Sequence, residues 1–389
     1  MTKQLCGIYI HYPYCDVKCA YCDFYSLAGR NSSKASLDKF EIKYLEALKR
    51  DIQHKLKYFN NNYKVTSVFF GGGTPSKANA SFIHNVLNLL RQEFSFSKKV
   101  TNEITIEANP ESITEEKLLL WKKGGVNRVS VGIQSTSKEL LHYLGRLYSR
   151  KSYETVFEKI KQAGFKNYSA DLIYGIPGQK WLQVKKDIDW VVDQGVSHIS
   201  AYALTLEDNT ALKVLTEKKI NGKKNLSSAR QVFHQQQVAS HLSQKGFLQY
   251  EISNYAKSNM QSLHNRLYWK HRPYIGLGVA AHSFLMGKRI SSPKSLSSYM
   301  QEGFTPQVEK QSIVEDVLLG IFRLTQWQSI NSSVKSFSSQ QRIIFEKELR
   351  QMYKKNLVMV KGKFFKILPS TLLFADTHIL NLSLKLEGN

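Results

Sequence analysis

Short apolar, β-branched runs alternate with longer amphipathic stretches through the first two thirds of the chain. The apolar runs are Gly7–His11, Val65–Phe70, Glu103–Ala108, Arg128–Ile133, Tyr168–Tyr174 and His198–Leu204. Their length and near-continuous hydrophobicity predict strands covered on both faces. Between the first two, apolar residues recur at three- and four-residue steps through Phe40, Tyr44, Leu45, Leu48, Ile52 and Leu56, predicting a helix over Ser36–Phe59. The same spacing predicts helices at Ser81–Glu93, Thr114–Lys123, Lys138–Leu144, Ser152–Ala163, Trp181–Asp193 and Ser227–Lys245. Six strand-then-helix units need a parallel sheet with helical crossovers, an α/β fold two units short of a closed eight-stranded barrel.

After Ala256 the periodicity breaks. A polar–aromatic block, His264-Asn265-Arg266-Leu267-Tyr268-Trp269, precedes a glycine-rich run ending at His282. Beyond about residue 305 come two or three helical patterns, a β-rich stretch over Leu357–Leu368, and Thr377–Lys385. The expected organisation is a core over residues 1–256, a connecting segment over 257–304 and a smaller, mostly helical accessory domain over 305–389.

In parallel α/β folds, function gathers at the C-terminal ends of the strands. Those ends carry unusual residues here: cysteines after the first run, Gly71-Gly72-Gly73-Thr74-Pro75 after the second, Glu107-Ala108-Asn109-Pro110 after the third, Gly132-Ile133-Gln134-Ser135 after the fourth, and Asp171 to Gly178 around the fifth. One shared site is the simplest reading of so many polar and glycine signals on one edge. The glycine run matches no phosphate-loop pattern, and its backbone freedom suits close approach to a ligand. Glu107, Gln134, Arg146 and Asp171 could each be a capping or surface residue; together they could hold the ribose and carboxylate of a nucleoside-like cofactor.

The sharpest chemistry is Cys15, Cys19 and Cys22, a C-x3-C-x2-C run in a chain with only one other cysteine, Cys6. A structural zinc site needs a fourth ligand, usually from a second Cys pair, and none exists. A disulfide framework needs cysteines spread along the chain and an oxidising compartment. Three thiolates on one loop can instead hold three corners of a [4Fe–4S] cube and leave the fourth iron open. Cys6 reads as a plain core or surface thiol. His264, with Tyr268 and Trp269 beside it, offers either an axial ligand and aromatic walls for haem or a packed histidine in an aromatic patch.

Composition narrows the rest. The start of the chain lacks a signal-peptide pattern, and no stretch nears the roughly 18 apolar residues of a membrane span, so a cytoplasmic protein with reduced thiols is expected. The net charge of +24 invites a nucleic-acid reading, but only 13 of the 55 basic residues are arginine and the lysines are scattered. Nucleic acid is therefore disfavoured, while loose attraction to an anionic membrane surface stays open.

The quoted motifs, with Leu144-Gly145-Arg146 and Asp171-Leu172-Ile173-Tyr174-Gly175-Ile176-Pro177-Gly178-Gln179, resemble the radical S-adenosylmethionine superfamily and, within it, the oxygen-independent coproporphyrinogen III oxidase-like family. The resemblance covers most of the chain. It implies a partial (β/α)6 barrel, cluster ligation by Cys15, Cys19 and Cys22, and S-adenosylmethionine contacts from Tyr9, Tyr21, Phe24, Gly72, Gly73, Thr74, Glu107, Gln134, Arg146 and Asp171. It also implies an electron donor for the cluster and the capacity to cleave S-adenosylmethionine, and leaves a homodimer open. The family's dehydrogenase branch carries a fourth cysteine where this chain has Phe24, and an N-terminal extension before the cluster motif. Its haem-chaperone branch has Phe there and an H-N-x-x-Y-W motif, matched at His264–Trp269. The chaperone branch is the expected one: haem as cargo, with His264 as its candidate contact, delivered to haem-requiring proteins such as respiratory enzymes at a membrane. Coproporphyrinogen III dehydrogenation is the first rival and radical RNA modification the second. Tyr148 stands where the family usually has histidine, and Ala280 where it usually has glycine.

Overall fold

A computed structural model describes residues 3–29, 33–59, 63–98, 102–217, 228–303, 307–308 and 312–388. Strand β1 (Gln4–Tyr12) runs into the cysteine loop, and helix α1 (Lys34–Tyr58) crosses back. The alternation continues through β2 (Tyr63–Gly72), α2 (Ala80–Glu93), β3 (Glu103–Ala108), α3 (Glu115–Gly124), β4 (Arg128–Gln134), α4 (Lys138–Tyr143), α5 (Arg150–Gln162), β5 (Asn167–Tyr174), α6 (Trp181–Asp193), β6 (His198–Ala203) and α7 (Ser228–Gln244). Strands β1 to β6 pair in chain order and all in parallel, forming the expected partial (β/α)6 barrel. β3 and α6 coincide with their predicted ranges; other ends move by up to three residues, and the predicted α7 start at Ser227 lies outside the described residues.

The pattern works as burial demands. Ile8, Ile10, Val68, Phe70, Ile106, Val129, Val131, Ala170 and Ile199 are fully enclosed between the helices and the barrel interior. Helix α1 starts where the Ser33 hydroxyl accepts the Ser36 N–H, and it buries Tyr44, Ala47, Leu48, Asp51, Ile52 and Lys55 on one face.

Residues 257–304, read from sequence as a connecting segment, add strands to the same sheet. β7 (Asn254–Ala256) lies antiparallel on β6; helix α8 (Leu263–Trp269) follows. β8 (Tyr274–Leu277) then pairs in parallel with β1, and β9 (His282–Leu285) and β10 (Lys288–Ser291) continue antiparallel beyond it. Strands of three or four residues interrupted by Gly276 and Gly278 are too short to show a period. A buried ion pair on α1 positions this extension. Lys55 Nζ meets Asp51 at 2.7 Å and donates to the Gly276 carbonyl and to Ser292 Oγ. Asp51 accepts the Gly278 N–H at 3.1 Å and the Tyr299 hydroxyl at 2.8 Å.

The C-terminal part contains α9 (Ile313–Arg323), α10 (Ser339–Lys354), a hairpin of β11 (Val358–Lys361) and β12 (Phe364–Ile367), and α11 (Ala375–Glu387), which packs against α9. It has its own core around Leu318, Phe322, Phe345, Phe365 and Leu382. Among the described residues no helix is long and apolar enough to cross a membrane.

Candidate functional site

The cysteine loop is held almost entirely by main chain. Tyr14–Cys15 pairs with Leu27–Ala28, Leu27 N–H donates to Pro13 O at 2.8 Å, and Gly29 N–H to Cys15 O at 2.9 Å. Cys22 N–H reaches Cys19 O at 3.1 Å, closing the turn that carries the second and third thiols. Ala20, between them, donates to Leu144 O and accepts from Leu212 N–H, so two further loops grip its peptide. Cys15 is buried, Cys19 and Cys22 are half-buried, and all three are free thiols close enough to feel one another's charge. Burial raises the Cys15 thiol and pushes Cys22 up to about 11, so these thiols hold their protons until a metal displaces them. Among the described residues no three His, Cys, Asp or Glu side chains gather tightly enough for a single ion. Three soft donors on one compact loop, without a fourth, fit a cluster that brings its own sulfides.

The end of β2 fastens this loop to the barrel. Gly73 N–H donates to Tyr12 O at 2.7 Å and Thr74 N–H to Tyr14 O at 2.8 Å. A Cβ on Gly73 would lie 2.7 Å from Tyr14 O and 2.9 Å from Tyr12 O, so only glycine lets the two backbones meet. Thr74 Oγ1 donates to Cys15 Sγ at 3.3 Å. Arg146 donates to Gly132 O at 2.5 Å and Asn109 Oδ1 at 3.2 Å, and hydrogen-bonds Tyr21, joining the loop to the ends of β3 and β4. Gln134 is buried at φ 65, at the irregularity where β4 slips register against β5.

Beside the loop opens a cavity of about 990 Å³ running into the barrel. Of the predicted residues, Tyr9, Phe24, Gly72, Glu107, Asp171 and His264 line it. Tyr21, Gly73, Thr74, Gln134 and Arg146 do not; they brace the loop and strand ends beside it. The cysteine loop itself contributes Lys18, Asp23 and Phe24 to the lining, with Phe24 largely exposed.

Deeper in, the Glu107 carboxyl is pushed up to about 8 by burial and by Asp171, against a hydrogen bond from the Gly72 backbone. Burial likewise raises Asp171, which Ser130 Oγ contacts at 3.3 Å. Arg128, absent from the sequence reading, is the buried cation facing both acids and donates to Ser169 Oγ at 2.9 Å. Its charge could not be placed from sequence, because an arginine opening a strand usually faces solvent.

The structure sets His264 into the barrel floor. Its Nδ1 hydrogen-bonds Ser67 Oγ at 2.9 Å, its Nε2 the Tyr268 hydroxyl at 2.8 Å, and its ring stacks on Phe69 at 5.2 Å. Burial and the Arg128 charge push it down to about 3, so it stays neutral. Both nitrogens are engaged, and ligation of an iron would cost one of these bonds. The Glu103 carboxylate anchors the start of α8, taking the Ser262 hydroxyl and the Leu263 and His264 N–H groups. At its other end Trp269 lies under Arg323 of α9, 4.6 Å from the ring centroid. Ala280 also lines the cavity, at φ 56, a left-handed conformation that suits the glycine usual in the resembling family.

Residues 9–191 match the Radical SAM superfamily. The heme chaperone HemW of Buchnera aphidicola subsp. Schizaphis graminum is 36% identical over 277 residues, 71% of this chain and 69% of that protein. The heme chaperone HemW of Bacillus subtilis is 30% identical over 361 residues, 90% of this chain and 92% of that one. The solved structure of coproporphyrinogen III oxidase (HemN) from Escherichia coli, a radical SAM enzyme, superposes with a TM-score of 0.79 at 20% identity, over 98% of this chain and 90% of that one.

Proposed function

The chain belongs to the radical S-adenosylmethionine superfamily and, within it, to the HemW family, and on that premise we propose that it is a haem chaperone. It binds a [4Fe–4S] cluster and S-adenosylmethionine at the barrel rim, holds haem in the adjoining cavity, and passes it to haem-dependent proteins. The observation that carries this reading is the cavity of about 990 Å³, which reaches from the cysteine loop to an aromatic wall of Tyr268, Trp269, Tyr274 and Phe284. A flat, apolar macrocycle suits such a wall.

Cys15, Cys19 and Cys22 would hold the cluster, which when bound would supply one-electron reduction. Thr74 steadies the Cys15 sulfur, and Gly73 fixes the height of the loop. Tyr9, Gly72, Glu107 and Asp171 face S-adenosylmethionine from the cavity, while Tyr21, Gln134 and Arg146 set the backbone around it. Glu107, protonated near neutrality, offers a hydrogen-bond donor to a ribose oxygen. Phe24, standing at the mouth where the dehydrogenase branch has a fourth cysteine, covers one side of the cargo.

The protein acts in the cytoplasm and meets membrane acceptors peripherally. The stretch 349–375 carries Arg350, Lys354, Lys355, Lys361, Lys363 and Lys366 with no acid, and Met359 and Phe364 are exposed on its hairpin, a surface suited to an anionic bilayer.

Anaerobically reconstituted protein is titrated with haem and then mixed with an apo-haem protein. A Soret band that moves to the acceptor is expected. The rival reading is decided by incubation with coproporphyrinogen III, S-adenosylmethionine and a reductant: formation of protoporphyrinogen would replace the chaperone with a dehydrogenase.

A further inference from the structure

Beside Glu107 and Asp171 the cavity carries the buried cation Arg128, and a separate group of cations lines it elsewhere. Glu107 and Asp171 stand at the strand ends beneath the cysteine loop, and Asp23 sits on the rim. Facing them, the side built from β10, its following loop and α9 presents Arg289, Lys294 and Arg323. Arg289 is tied to Asp316 at 3.2 Å through one terminal nitrogen. Arg323 sits over the Trp269 indole, 4.6 Å from the ring centroid, and makes no ion pair among the described residues. Glu251 is the acid whose charge couples to it.

The same wall holds a concentration of unmet hydrogen-bonding groups. Arg289 Nε, Arg323 Nε and Trp269 Nε1 are buried N–H donors without an acceptor among the described residues, and His271 bonds the Asp316 backbone. All four residues line the cavity. Leaving a buried N–H unpaired is costly, and clustering three on one cationic wall is a strong demand for an anionic acceptor. A guanidinium already spread on an aromatic face keeps its edge free for the parallel two-bond grip that suits a carboxylate.

We propose that Arg289, Arg323 and Trp269 form a carboxylate-binding subsite that takes the propionate side chains of the tetrapyrrole, orienting its acidic edge toward α9 and away from Glu107 and Asp171. The subsite rests on the haem reading above. Two guanidinium groups on one side of an enclosed aromatic cavity match a planar ligand with two carboxylates on one edge.

Affinities of the full-length reconstituted protein are measured by Soret titration with haem and haem dimethyl ester, and by fluorescence quenching with metal-free protoporphyrin. Esterification weakens wild-type binding by about tenfold or more, the loss expected when charge-assisted hydrogen bonds are removed. Arg323→Gln and Arg289→Gln weaken haem by a similar factor and shrink the penalty for esterification. Metal-free protoporphyrin shows the same losses, because the iron takes no part, and affinity for S-adenosylmethionine is unchanged. Arg323→Lys keeps the charge without the fork and recovers part of the affinity. Equal wild-type affinity for acid and ester overturns the subsite, as does an ester penalty retained in full by both glutamine variants. So does a variant that loses S-adenosylmethionine while keeping haem. A wild type that binds none of the three tetrapyrroles rejects the haem reading itself, a result distinct from binding without an ester penalty.

Discussion

The two sides of the cavity are built by different means. On the cysteine side, peptide groups from four segments interlock: Gly73 and Thr74 to Tyr12 and Tyr14, Ala20 to Leu144 and Leu212, Gly29 to Cys15. On the α9 side, side chains meet instead, in the Arg323–Trp269 stack, the Arg289–Asp316 pair and the Arg266–Gln326 hydrogen bond. Backbone bonds leave one geometry, which a rigid inorganic cluster needs. Side-chain contacts leave donors over, which a ligand that arrives and departs can use.

If the rim is a self-contained unit, Cys19→Ser should have the largest effect: near-complete loss of iron and of visible cluster absorbance, with an unchanged far-ultraviolet spectrum. Retention of a full cluster would remove the three-thiol reading. Gly73→Ala comes next. Its methyl group forces the Tyr12–Tyr14 backbone away, costing about 2–4 kcal/mol in denaturant unfolding and impairing cluster assembly more than haem binding. His264→Ala should cost about 2–3 kcal/mol through two lost hydrogen bonds and a cavity, without shifting the Soret maximum of bound haem. A shifted or abolished band would instead make His264 the axial ligand.

Gly320→Ala tests the opposite wall. A Cβ there would meet Trp269 O at 2.6 Å and His271 Nε2 at 2.5 Å, so α9 must lift. The gain in helix propensity offsets part of the strain, leaving a net loss of about 1–2 kcal/mol. Haem affinity should fall while cluster content stays whole; equal damage to both would merge the two sides into one unit. The last test concerns pH. Glu107 has a folded-state value near 8, above its ordinary 4.5, so the folded state binds its proton more tightly. Its contribution is fully present below about 4.5 and is lost as pH rises through about 8. A decline in stability across that window is expected in wild type and absent in Glu107→Gln.

The same division explains what could be read from the sequence. Strands such as Glu103–Ala108 announce themselves because burial on both faces demands continuous apolar residues. The cysteine triplet and the Gly71–Thr74 run are equally visible, since a backbone-built site restricts residue type at consecutive positions. Residues 274–291 escaped, being three short strands whose place beside β1 depends on the Asp51–Lys55 pair of a distant helix. Arg289 and Arg323 escaped for a related reason: they lie on separate elements and line one cavity only once the chain has folded, with α9 packed closely at Gly320 against α8's last turn. His264 was conspicuous but ambiguous, because a histidine among aromatics reads alike as ligand or as packing until its two hydrogen bonds are seen.

Helix α8 spans only Leu263–Trp269, about 10 Å at the usual helical rise, yet its first turn is clamped by Glu103 and its last carries the indole beneath Arg323. So short a rod has no slack. Any tilt at its Trp269 end must pivot at Glu103 and be felt at the Ser67–His264–Tyr268 bonds inside the barrel.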